Sequence, residues 1–206
     1  MADLDAQVRA ADPDRWLSSR FVGDAGLRAD LIALYAFEVE LGTIPTKVSQ
    51  PLLAEMRFTW WADQMDGVFA GDPRKGHPVL EALSGAVVRA GLRRSAFDAL
   101  IEAHVDRAHG RPHDLEALFV GPGVVAARLL GPAEPTAAAS AGRLWGLIQT
   151  GRLDEARALR PEANRALRRL PAQAFPAVAH AALLDREAPE PIKRLRLVWA
   201  SLRGRV

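Results

Sequence analysis

A single all-α domain of about eight or nine helices is what this sequence predicts. Apolar residues recur every three or four positions along most of the chain, and the alternation of a half-buried strand is hard to find. Glycine and proline punctuate the pattern at helical intervals, with no repeat at a 20–50 residue period. The chain has 206 residues, 49% hydrophobic and 25% charged, which is enough to close one sizeable core.

The elements follow in order. Asp12-Pro13-Asp14 reads as a helix start, with an aspartate cap, proline in the first turn and a second acid beside it. Leu27, Leu31, Leu34, Phe37 and Leu41 form one apolar stripe, which Gly42 and Pro45 are expected to end or break. A longer helix runs from Pro51 to about Gly71 through Leu53, Met56, Trp60, Trp61, Met65, Val68 and Phe69. Because it is apolar on more than one face, it is expected to be central and well buried. Gly76-His77-Pro78 opens another helix, and Gly91 separates that from one over about Ser95 to Ala108. Asp114 caps a segment that passes through Gly121-Pro122-Gly123 into Val124–Leu130. A small-residue helix covers about 136–150, and three shorter pieces follow at about 153–169, 172–186 and 190–203, with Pro176 kinking the second.

Composition excludes several classes. Without cysteine there is no disulfide, thiolate nucleophile or Cys-ligated metal. The start, Met1-Ala2-Asp3-Leu4-Asp5, is acidic and lacks the basic and apolar regions of a secretory signal. No apolar run approaches the ~20 residues that cross a bilayer, so a soluble, cytoplasmic protein is expected. The net charge of +2 is unevenly spread: residues 141–206 hold 13 Lys+Arg against 6 Asp+Glu. That positive third suits an anionic membrane face, a diphosphate or an acidic protein partner. Aromatics do not interleave with the basic residues, so no nucleic-acid partner is expected.

Chemistry-bearing residues are sparse. Asp63 and Asp66 share a helix face, a geometry that suits Mg²⁺, although a solvated helix edge is the plainer reading. His104, Asp106, His109, His113 and Asp114 cluster in sequence, but His104 and His109 are five apart and do not share a face as a helical zinc pair does; a helix end with capping and surface histidines is the plainer reading. Glu38 falls on the Leu31/Leu34/Leu41 side of its helix, where a carboxylate needs a cation; Arg57 on the next helix is the expected partner. Trp60-Trp61 reads as core, or as the wall of an apolar cavity.

The run Leu34-Tyr35-Ala36-Phe37-Glu38-Val39-Glu40-Leu41, then Val48-Ser49-Gln50-Pro51 through Arg57-Phe58-Thr59-Trp60-Trp61, resembles the squalene/phytoene synthase family. Asp12–Leu17 and His77-Pro78-Val79 are similar to that family's neighbouring helix starts. The resemblance spans about residues 10–205 and is strongest over 27–83; it looks closest to the branch holding the mitochondrial complex I assembly factor with a phytoene-synthase-like domain. It implies a shortened helical bundle of the class I isoprenoid synthase type.

In the family's enzymes the resemblance implies two aspartate-rich motifs that hold Mg²⁺ and prenyl diphosphates. The positions matching the first are Gly42, Thr43, Ile44, Pro45 and Thr46, without a carboxylate. Near the second the chain reads Arg152-Leu153-Asp154-Glu155, with the acids out of register. Ionising a prenyl diphosphate needs metals to stabilise the leaving group, so the resemblance points to a pseudoenzyme: no catalytic residue, no metal ligand and no cofactor. Tyr35, Glu38, Arg57, Trp60, Trp61 and Arg152 are then candidates to line a retained cavity or anion site. The expected role is an assembly or scaffold protein, its partner a protein or a respiratory-complex intermediate, or an isoprenoid-binding protein. Peripheral membrane contact through Arg194, Arg196, Arg203 and Arg205 is a further expectation. The alternative is a prenyl transferase of isoprenoid biosynthesis with atypical Mg²⁺ ligands.

Overall fold

The computed structural model describes residues 3–48 and 50–206; the readings placed on Met1, Ala2 and Ser49 lie outside them. The described residues form helices and no strand: α1 (Leu4–Ala11), α2 (Pro13–Ser19), α3 (Ala25–Lys47), α4 (Pro51–Ala70), α5 (Pro78–Ala90) and α6 (Ser95–Ala108). A π-helical turn (Glu116–Val120) leads into α7 (Gly121–Leu129), then α8 (Pro135–Gln149), α9 (Leu153–Leu167) and α10 (Glu190–Arg203). The caps read from the sequence are in place. Asp12 Oδ1 accepts from the Arg15 amide at 3.0 Å, His77 caps α5, and Asp114 accepts from Glu116 and Ala117.

The central helix is α3. Every residue from Asp30 to Glu38 is buried, and α1, α2, α4, α5, α6 and α7 all pack against this helix. Ala33 and Ala36 let neighbours approach closely, while Leu31, Leu34, Phe37 and Leu41 fill the space between them. The expected break at Pro45 does not occur: α3 continues to Lys47 with Pro45 inside it. In the last turn proline forfeits one ladder bond, and the Val48 amide still reaches the Ile44 carbonyl. The Thr43 and Thr46 hydroxyls also donate to carbonyls three residues back.

The expectation that the Pro51 helix is central is corrected as well. Only a narrow stripe of α4 is buried, Ala54, Phe58, Trp61, Met65 and Val68, whereas Leu52, Leu53 and Met56 lie exposed. Residues 172–186 are not one helix but two 3₁₀ turns (Ala172–Ala177 and Ala179–Ala182), because the prolines interrupt the α ladder. His104 also departs from the surface reading, being buried and stacked on Phe58 at 5.8 Å.

Candidate functional site

The interior polar cluster is built where α2 crosses α3. Asp12 caps α2, so its carboxylate stays at the start of that helix, and Arg15 follows one turn on. Arg15 Nε donates to Asp12 Oδ2 at 2.6 Å, and Arg15 Nη1 donates to Glu38 Oε2, also at 2.6 Å. The guanidinium carbon lies 4.6 Å from the centre of the Tyr35 ring. Glu38 therefore has a cation, but it is Arg15 and not Arg57. The buried stripe of α4 stops just short of Arg57, which is exposed and makes no ion pair among the described residues.

Electrostatics follow from burial. Desolvation raises the Glu38 carboxyl, with Asp12 adding to the rise and Arg15 opposing it. Burial acts to raise Asp12 too, yet the charge and hydrogen bonds of Arg15 hold it below the usual carboxylate range. Desolvation also raises the Tyr35 hydroxyl, whose only partner among the described residues is the Ala177 carbonyl, at a long 3.5 Å. His180 is pushed down to about 3 by burial and by Arg15, with its ring edge-on to Trp145 at 4.8 Å. Glu38 Oε1 and His180 Nδ1 have no hydrogen-bond partner among the described residues.

Between these side chains the free volume is about 20 Å³, bounded also by Phe119, Pro122, Gly142 and Val178. That is room for about one water molecule, against the roughly 300–1,000 Å³ of small-molecule pockets. Two glycines of α8 make the closure tight. A Cβ on Gly142 would stand 2.7 Å from the Phe119 carbonyl oxygen, and one on Gly146 2.8 Å from the Phe119 ring.

The other candidates fall elsewhere. Arg57, Trp60 and Trp61 line an open surface pocket of about 190 Å³ with Glu40, Thr43, Lys47 and His77. Its aromatic wall is Trp60 edge-on to Trp61 at 5.1 Å, with His77 against both rings. Arg152 lies on the surface, forked onto Glu155 at 2.7 and 2.6 Å. Asp154 is taken by Arg157, and Asp66 by Arg94. Thus Tyr35 and Glu38 come together, Arg57, Trp60 and Trp61 come together, and Arg152 joins neither group. No group of three or more metal-capable side chains occurs among the described residues. Sequence reasoning missed Arg15 and His180. The need of a buried Glu38 for a cation was the available signal, but it did not choose between arginines.

An all-α bundle around a central helix, with a polar cluster set against its Tyr-Ala-Phe stretch, is consistent with an isoprenoid synthase-like protein. Residues 8–120, more than half of the chain, match the squalene/phytoene synthase family, and the chain belongs to that family. None of the curated proteins compared matches it.

Proposed function

We propose that this is a non-catalytic squalene/phytoene synthase-like protein, an assembly or scaffold factor of the kind that its resemblance to the complex I assembly branch suggests, working on a protein partner. The observation that carries the reading is the filled interior. Beside Tyr35 and Glu38, where the family's enzymes need a cavity for prenyl chains, about 20 Å³ remains. Positions 42–46, which the resemblance matches to the first Mg²⁺ motif, carry no carboxylate, and Asp154 and Glu155 are engaged by arginines on the surface. In this reading the chain lacks the carboxylate-held Mg²⁺ with which the family's enzymes stabilise charge on a departing diphosphate.

Isoprenoid binding is the second reading. It is favoured by the pocket of about 190 Å³ in which Lys47 and Arg57 stand beside Trp60, a pairing of cations and apolar wall suited to a headgroup and the start of a chain. Farnesyl and geranylgeranyl diphosphate, each with Mg²⁺, test both readings through pyrophosphate release and thermal melting. The scaffold reading expects neither turnover nor a shift in Tm. A shift without turnover would favour the isoprenoid-binding protein, and released pyrophosphate would overturn both.

A further inference from the structure

Five of the nine large apolar side chains exposed among the described residues lie on α10: Ile192, Leu195, Val198, Trp199 and Leu202, at 46, 69, 41, 55 and 76% exposure. At helical spacing they fall within an arc of about 120°. The opposite side of α10 is anchored, with Leu197 and Ala200 buried and Lys193 Nζ donating to the buried Asp14 carboxylate at 2.8 Å. The stripe is therefore held outward by packing and an ion pair on its reverse side.

Positive charge borders the stripe. Arg194 lies on one edge, paired with Glu190. Arg196 and Arg203 lie on the other, and Arg203 sits 3.9 Å over the Trp199 ring. Beyond that edge a cleft of about 470 Å³ separates α10 from α9, with Arg160, Arg196, Arg203 and Arg205 on its walls; its one acidic side chain is Asp185, 4.0 Å from Arg196, and Arg160 donates to the Val206 carbonyl at 2.7 Å. It adjoins a second cleft of about 370 Å³ that adds Arg165 and Arg168. Among the described residues, Arg165, Arg168, Arg203 and Arg205 have no ion-pair partner.

We propose that α10 docks on an anionic phospholipid surface, its apolar stripe entering the boundary between headgroups and acyl chains while Arg165, Arg168, Arg203 and Arg205 face lipid phosphates. An apolar stripe with unpaired positive charge along one side is complementary to a layer that is apolar within and anionic at its rim. A second copy is a poor occupant, since pairing two such faces about a two-fold axis sets the same arginines against each other. Of the four arginines that the sequence suggests, Arg203 and Arg205 keep this role, whereas Arg194 and Arg196 already have acidic neighbours and Arg165 and Arg168 join in their place. The proposal stands whether or not the interior binds a ligand.

Flotation with vesicles of phosphatidylcholine alone, and of phosphatidylcholine with about a third phosphatidylglycerol, tests it on the full chain. Binding is expected to the anionic vesicles only, weakening as salt rises, with a blue shift of tryptophan emission that Trp199→Phe removes. Leu195→Ser with Leu202→Ser lowers partition roughly tenfold or more. Arg165→Gln with Arg168→Gln lowers it about fivefold per charge, whereas Arg194→Gln changes little. All these side chains are exposed, so melting reports that each variant remains folded. Equal binding to both vesicle types overturns the proposal. So does no binding to either, and a dimer abolished by the double serine variant would then assign the stripe to contact between copies.

Discussion

Arg15 of α2 and Glu38 of α3 meet at 2.6 Å in the protein interior, and the same guanidinium reaches Asp12. One cation thus serves two carboxylates drawn from different helices, and its loss would strand both.

Arg15→Met is expected to lower stability by about 3–5 kcal/mol, the usual result of leaving a buried charge unpaired. Glu38→Gln keeps shape and hydrogen bonding and is expected to cost about 1–2 kcal/mol. Urea denaturation of the two variants checks the order; equal losses would mean that the pair acts through packing alone.

Acid should destabilise the fold through two histidines. Burial, chiefly, holds His104 at about 4 and His180 at about 3, both below the ordinary 6.5. Below pH 6.5 the unfolded chain takes up these protons before the folded one does. Stability is therefore fully present above that pH and is lost as pH falls, by about 3 kcal/mol for each histidine at pH 4. Asp12, whose folded value is depressed, adds to the loss at lower pH, while Glu38, whose value is raised, acts in the opposite direction as pH rises above the ordinary glutamate range. Denaturation midpoints between pH 7 and 4 should fall, and His104→Gln should flatten the slope. An unchanged slope would place the acid sensitivity elsewhere.

Glycine-to-alanine substitutions should change sign with position. At Gly142 the added methyl meets the main chain of Phe119 and Val120, at 2.7 and 2.9 Å, so Gly142→Ala is expected to cost about 3 kcal/mol. At Gly42, exposed within α3, nothing lies within 4 Å, and Gly42→Ala should stabilise by up to about 1 kcal/mol. Thermal melting of both variants is the check, and a stabilised Gly142→Ala would deny the close contact.

Asp14 ties α10 to α2. Lys193→Met removes the 2.8 Å partner of a carboxylate only 3% exposed, leaving Arg186 at 3.8 Å as the remaining cation. Amide exchange in α10 should accelerate more than in α3, since α10 has fewer elements packed against it. Uniform acceleration along the chain would show instead that the pair contributes to global stability.

Much of the architecture is legible in the residues themselves. Asp12, His77 and Asp114 mark their helix starts because capping is a local chemistry that depends on neighbours in sequence. Burial was harder to read. Leu52, Leu53 and Met56 share a helix with the core residues Phe58 and Met65, and periodicity alone does not say which apolar face finds a partner. Pro45 misled because its disruption depends on distance from the helix end. The choice of Arg15 over Arg57 depends on how α2 crosses α3, a tertiary fact that no spacing encodes. Tyr35 and Glu38 share one lining and Arg57, Trp60 and Trp61 another, whereas Arg152 is joined to them only by resemblance.

The seam between α8 and the π-helical turn has a consequence for motion. Side chains that close a cavity can swing aside within nanoseconds, but at Gly142 the contact is main chain against main chain. No rotamer change can part it. A molecule entering through this seam must wait for two whole elements to separate, a collective event in the microsecond-to-millisecond range or slower. Opening of the seam should follow that clock, and relaxation-dispersion measurements at Phe119, Val120 and Gly142 would time it.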